Sequence, residues 1–370
     1  MTMTPYERVM AAFRREEPDR VPIFEFMIDP KVIDPILPGG SYPDLVEALD
    51  IDCVFTPTPS RLYNLRLVET LSDGTPIFQS DWGERRAATV EMVTVPVHHP
   101  IKTHADWEAY QVPDPDKPER LANLRSLVER FKGRRAIGFH THDSFNYPSY
   151  LFGMLELFVN MIEDPDWVKE VTAACNAHCV RLVELAVQAG ADFVMFGDDV
   201  GGKSGPMISP AHYQEFFLPG LVKVTQKAHE LGAYVVKHTD GNVNRLLDMF
   251  VEAGVDAFHP SDPSAGMDIV EVKRRCGSRL AVCGGIDTGA PLSEWPVEEL
   301  VAEVRKRIAD LAPGGGWMIA SSNTVHSSVR PENYHAMVTA TRTYGNYGRL
   351  NQPISPELEA SIGKIPIRNP

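Results

Sequence analysis

From residue 135 onward the chain repeats one pattern of apolar and polar positions. Short apolar runs recur as RAIGFH (135–140), ADFVMFGDD (191–199), AYVVKH (233–238), VDAFHP (255–260), RLAVCGG (279–285) and WMIASSN (317–323). Between them lie stretches of helical period at 151–190, 209–231, 242–253, 267–276, 296–312 and 331–344. Strands that are apolar on both faces, alternating with helices, predict a parallel sheet covered on each side. Two earlier runs, in DRVPIFEFM and in IDCVFTP (51–57), bring the strand count to eight. That count predicts the α/β class and a single (β/α)8 TIM barrel. A doubly wound open sheet shares the rhythm, but no G-x-G-x-x-G turn follows the first strand.

The N-terminal third adds two features. Residues 4–17 predict an amphipathic helix with Thr4 as N-cap and Pro5 in its first turn. Between about 64 and 100, alternation around turn signals in DGTPIFQSDWGERRAATVEMVTVPV predicts an antiparallel β insertion. No Gly/Ser-rich or Pro-rich tract divides the interior, so residues 1–350 are expected to form one barrel and 351–370 a C-terminal arm.

Composition narrows the function classes. With 43% hydrophobic and 23% charged residues the chain has globular proportions, which excludes a disordered or collagen-like polymer. The formal net charge of -14 and the lack of long Lys/Arg runs argue against nucleic acid as a partner. The longest apolar stretch, Tyr150 to Ile162, contains Glu156 and is too short to cross a bilayer. Five cysteines, an odd number, together with a charged N-terminus without an apolar core, fit a reducing, cytoplasmic setting.

A barrel gathers its chemistry at the C-terminal ends of its strands. Those positions here hold Glu25, His140 and His142, the Asp198–Asp199 pair, His238 and Asp240, His259, Cys283, and Asn323 with His326. Each alone is compatible with a hydrogen-bonded structural residue, but their concentration on one rim points to a site. His238 and Asp240, two apart at a strand end, suit a divalent metal or direct contact with substrate. Successive carboxylates cannot both face one point on a strand, so one of Asp198 and Asp199 faces the cavity and the other anchors a loop. A raised acid such as Asp199 or Glu25 is a second route to catalysis. Lys203, in the Gly-rich loop after this pair, offsets their charge or braces the loop. Cys283 is either a zinc ligand or a small buried residue. Cys175-Asn-Ala-His178-Cys179 reads as helix packing.

Six segments together resemble the uroporphyrinogen decarboxylase superfamily, which includes cobalamin-dependent methyltransferases. They are RVMAAFRREEPDRVPIFE, SYLFGMLELFVNMIEDPDWV, FGDDVGGKSGPMISPAHYQEFFLP, VVKHTDGNVNRLLDMFVEAGVDAFHP, SAGMDIVEVKRRCGSRLAVCGGID and NTVHSSVRPENYHAM, in order over most of the chain. The resemblance implies one barrel with its cleft at the strand C-termini. It also implies differences. The decarboxylases' Arg-rich segment is replaced by Phe24 to Pro30, which has no Arg, and their Asp after the second strand falls in PheThrProThrPro (55–59). Tyr150 matches their central-helix Tyr, while Asn323 stands where their C-terminal His aligns. The methyltransferases hold zinc with His-x-Cys and a later Cys. Here His238 matches, Asp240 replaces the first Cys, and Asn323 stands near the later one.

The resemblance therefore implies an enzyme nearer to the O-demethylase-like methyltransferases. A small, methoxylated methyl donor is expected to pass its methyl to a corrinoid carried by a partner protein. A divalent metal, zinc by resemblance, on His238, Asp240 and Cys283, or an acid, would activate the leaving atom. The expected catalytic residues are Glu25, Asp199, His238 and Asp240, with His140, His142, Tyr150, Lys203, His259, Asn323 and His326 around the substrate. A homodimer stays open. The alternative is a cofactor-free decarboxylase or lyase acting on a small carboxylate or a porphyrinogen-like substrate.

Overall fold

The computed structural model describes residues 2–56, 65–91 and 93–350, with 352–354, 356–359, 361, 362 and 364. Positions 57–59 of the segment compared with the decarboxylases, and half of the expected C-terminal arm, lie outside the described residues. Eleven strands are described, β1 to β11 in chain order.

Seven form a curled parallel sheet in the order β1 (Cys53–Phe55), β6 (Ala136–Thr141), β7 (Phe193–Gly197), β8 (Tyr234–His238), β9 (Ala257–His259), β10 (Ala281–Ile286) and β11 (Trp317–Ser321). Each lies within the apolar run that predicted it or one residue beyond. Helices with buried apolar stripes cover the outer face, for example Val297–Leu311 through Leu300, Val304, Ile308 and Leu311. The expected helix over 151–190 is three helices, Asn146–Phe152, Met154–Glu163 and Pro165–Gln188, interrupted at Gly153 (φ 91°) and at Asp164, which caps the third.

The expectation of eight regular strands needs correction. The segment after Asp19 makes only isolated bridges, Arg20 to Asn346, Ile23 to Ile319 and Ile28 to Val325. Phe24 N donates to Ile319 O (2.8 Å), Ile319 N to Pro22 O (3.0 Å) and Asp52 N to Ile23 O (3.1 Å), so this segment spans the gap between β11 and β1 without becoming a ladder. Pro22 has no N–H to give, which breaks any regular pairing there. The sheet is therefore a barrel-like curl of seven strands and not a closed ring of eight. The insertion is as expected: β2 (Arg66–Thr70), β3 (Pro76–Gln79), β4 (Arg85–Ala87) and β5 (Val95–His98) form a separate antiparallel sheet.

Side chains alternate across each parallel strand. Phe193, Met195, Val236, Ala257, Ala281, Cys283, Met318 and Ala320 pack in the inner core, while Val194, Phe196, Val235, Phe258, Val282 and Ile319 pack outward with the helices. Gly138 makes room inside, since a Cβ there would lie 2.6 Å from Phe193 and 2.7 Å from Phe55. At the N-terminal end of the sheet the first helix, Pro5–Phe13, starts with a Thr4–Glu7 capping box. Its Phe13 meets Phe193 (5.4 Å between ring centres) and Tyr234 (4.8 Å), the first residues of β7 and β8. The helix plugs that end and leaves chemistry to the other.

Candidate active site

The same alternation decides which polar residues face inward at the open end. With Val236 inside, His238 is inside. The parallel register sets His238 beside Gly197 on β7 and beside His259 on β9. Continuing past β7, Asp198 turns outward and Asp199 inward. Past β8, Asp240 follows His238 to the inner side. The nearest ligand atoms of Asp199, His238 and Asp240 lie within 4.8 Å of one another.

Two glycines hold these loops together. Gly241 adopts φ +80°, and a Cβ on Gly201 would lie 2.2 Å from Asp240 O, so only glycine permits the crossing. Asn242 N donates to Gly202 O (2.7 Å), Val200 N to Thr239 Oγ1 (3.0 Å) and Asp240 N to Asp199 Oδ1 (3.1 Å). Asn323 Nδ2 donates to Asp240 Oδ2 (2.9 Å), which orients that carboxylate.

His238 Nε2 stands 3.6 Å from Asp240 Oδ1 and 3.8 Å from Asp199 Oδ1, both too long for hydrogen bonds. His238 Nδ1 is 2.7 Å from His259 Nδ1, so one ring donates and the other accepts. Burial, and secondarily His238, lowers the His259 pKa well below the ordinary imidazole value, which keeps His259 neutral. When His238 Nδ1 donates, its Nε2 presents a lone pair to the space between the two carboxylates. This is the arrangement a metal selects, with His259 as the partner that fixes the ring. Ligands about 2.0–2.2 Å from a zinc-sized ion stand roughly 3.3–3.6 Å apart, close to the spacing here. Two carboxylates and one imidazole form an oxygen-rich, hard donor set. The imidazole is buried (6% exposed), and the carboxylates are open to solvent at 44% and 32%. The residues thus fit a divalent ion with positions left for substrate.

Cys283 does not join them. β10 runs on to Ile286, so the thiol sits three residues below the strand end, in the inner core with Met318 and Ala320. Burial pushes its pKa well up and keeps it a neutral thiol. It therefore packs as a small apolar residue, and Asp199 takes the third place in the group.

Glu25 is fully buried at the closing segment. Ser321 N donates to Glu25 Oε2 (3.2 Å). Ser321 Oγ lies 2.7 Å from Glu25 Oε1 and 2.6 Å from Asn323 O, yet has one proton to give. A protonated Glu25 satisfies both contacts, donating to Ser321 while Ser321 donates to Asn323. Burial pushes the Glu25 pKa up to about 8, against the opposing Ser321 hydrogen bonds, in agreement with that pattern. Glu25 thereby supports the turn from which Asn323 reaches Asp240.

The remaining predicted residues divide. Phe26 packs against His140, His238 and His259 at ring separations of 5.5, 5.3 and 5.5 Å, so His140 and His259 line the same interior. His142 is bound to Asp198 instead, Nδ1 to Oδ1 at 2.6 Å, and lies under Tyr147 and Tyr150. Tyr150 in turn carries Arg86 of the insertion over its ring at 5.0 Å. Lys203 is exposed, on a cavity of about 420 Å³ shared with Gly241 and Asp262. His326 accepts from Ser328 N (3.3 Å), in a loop that Glu91 of the insertion holds through Ser327.

One buried network was not foreseen. Asp198 Oδ2 accepts from the backbone N–H groups of Ser144 (2.9 Å) and Phe145 (2.7 Å), and Lys237 Nζ donates to Asp143 Oδ2 (2.7 Å) and Asp198 O (3.1 Å). Although burial opposes it, His142 and Lys237 hold the Asp198 carboxyl far below the usual range, while burial and the Asp198 charge push Asp143 up to about 7. The one available signal was a Lys inside the apolar run AYVVKH.

With this geometry, comparison with known proteins becomes specific. The family model "Uroporphyrinogen decarboxylase (URO-D)" matches residues 4–344. A uroporphyrinogen decarboxylase of Thioalkalivibrio sulfidiphilus is 23% identical, covering 83% of this chain and 88% of its own length. One from Methylococcus capsulatus is 26% identical, covering 83% and 87%. Among solved structures, a methyltransferase from Methanosarcina mazei superposes with a TM-score of 0.70 at 20% identity, over 92% of this chain and 98% of its own.

Proposed function

The chain belongs to the uroporphyrinogen decarboxylase family, and from that premise we propose that it is a methyltransferase. It takes a methyl group from oxygen or nitrogen of a small donor and delivers it to a corrinoid carried by a partner protein. The observation that carries this reading is the Asp199–His238–Asp240 group. The structural likeness to the Methanosarcina mazei methyltransferase supports it. So does the absence of Arg from the segment Phe24 to Pro30, which leaves a polycarboxylate without that grip.

A methyl on oxygen or nitrogen departs only when its leaving atom is stabilised, because that atom is basic. Asp199, His238 and Asp240 would hold a divalent metal, which when bound supplies Lewis-acid stabilisation of that atom. The chain's own residues do the rest. His259 sets the His238 tautomer, Asn323 orients Asp240, and Phe26 walls the cavity. Glu25, neutral and buried, acts as a positioning residue behind Asn323.

The test combines metal analysis with a screen of methoxylated and N-methylated donors against reduced corrinoid. Expected are about one equivalent of divalent metal, methyl transfer, and loss of both in His238→Ala. Absence of a stoichiometric ion, together with full activity in His238→Ala, overturns the proposal. The names of the curated relatives favour a second reading, decarboxylation of a small carboxylate, and CO2 release from a candidate acid distinguishes it.

A further inference from the structure

The opposite end of the molecule holds a second cavity. It lies where the first helix and the residues preceding β1 meet the helix Pro331–Tyr344, at the plugged end of the sheet. Its volume is about 520 Å³, and its walls include Arg8, Arg20, Arg342, Arg349, Asp50 and Ser361. Small-molecule sites typically span about 300–1,000 Å³.

The charges do not balance. Arg8 is engaged by Asp19 (2.5 Å) and Asp52 (3.1 Å), and Arg20 by Asp52 (2.7 Å) and Asp50 (3.1 Å). Asp50, held in the left-handed region at φ 52°, also meets Arg135 at 3.2 Å and reaches Arg342 only at 4.0 Å. Arg349 forms no ion pair among the described residues and is exposed. Five arginines therefore meet three carboxylates, in a chain whose net charge is -14. A concave wall with uncommitted guanidinium donors is suited to phosphate, which accepts paired N–H bonds.

We propose that this cavity binds the phosphate group of a small ligand, with Arg342 and Arg349 supplying the charge and Ser361 bringing the C-terminal arm against it. The site is independent of the methyl-transfer reading.

Titration of the full chain with inorganic phosphate, and separately with a sugar phosphate, at constant ionic strength tests it by calorimetry and thermal shift. The expected result is saturable binding with a rise in Tm, weakened about tenfold or more in Arg342→Ala/Arg349→Ala. Tighter binding of the sugar phosphate identifies a phosphorylated metabolite as the source, and equal binding identifies phosphate itself. His238→Ala is expected to leave the affinity unchanged. No saturable binding, unchanged affinity in the double variant, or loss in His238→Ala overturns the proposal. Should the double variant not fold, Arg349→Ala alone carries the test, with a weakening of about threefold or more.

Discussion

Two pairs of neighbours, Asp198 with Asp199 and Lys237 with His238, go opposite ways. Asp198 and Lys237 turn outward between sheet and helices, where His142, Asp143 and the backbone of Ser144 and Phe145 engage them. Asp199 and His238 turn inward, where the carboxylate is open to solvent and the imidazole faces two acids beyond hydrogen-bond distance. One step along a strand separates a group that holds the fold from one that faces the open end of the sheet. The difference lies in how fully each charge is matched, since buried charges are tolerated only when paired and hydrogen-bonded.

The largest effect should come from breaking the outward pair. Asp198→Ala leaves His142 and several backbone donors unmatched and is expected to cost about 3–5 kcal/mol in denaturant unfolding. An Asp198→Ala protein as stable as the parent would erase the contrast. Next is Glu25. The folded chain keeps this proton up to about pH 8, whereas its ordinary value is 4.5. Between those values the unfolded state binds fewer protons, so this group's stabilisation is full below about pH 4.5 and declines as pH rises toward 8. Glu25→Gln, which retains both contacts to Ser321, should remove that decline, by at most about 1.4 kcal/mol per pH unit. Parallel stability curves for parent and variant would show Glu25 to be ionised in the fold.

On the inward side, His259→Ala should weaken metal binding by about 10–100-fold in chelator competition, because it removes the partner that orients His238. Unchanged affinity would detach His259 from the site. The smallest shift is in Asp199→Asn, whose stability should stay within about 0.5 kcal/mol of the parent while metal affinity falls. A large loss of stability would place Asp199 with Asp198 as a structural residue.

Much of this was legible in the sequence because the parallel strands are apolar on both faces, and seven of the expected runs became strands. The eighth was not legible as an exception, since VPIF is as apolar as its neighbours and only the pairing shows that the N–H missing from Pro22 falls on the side facing Ile319. The helix breaks at Gly153 and Asp164 were hidden by continuous apolar periodicity. In the site, period two carried His238, Asp240 and one Asp of the pair to the same side. It misled at Cys283, because the apolar part of RLAVCGG ends there while the strand continues through Gly284 and Gly285 to Ile286. Lys237 escaped notice because its partner Asp143 lies 94 residues away in sequence.

The backbone crossing at Gly201 and Gly241 works as a jig. It sets the separation of positions 199 and 240 before any side chain is chosen, so the side chains there can change without rebuilding the loops. A side chain at either glycine would instead force the two loops apart and alter the spacing of whatever residues stand at those two positions.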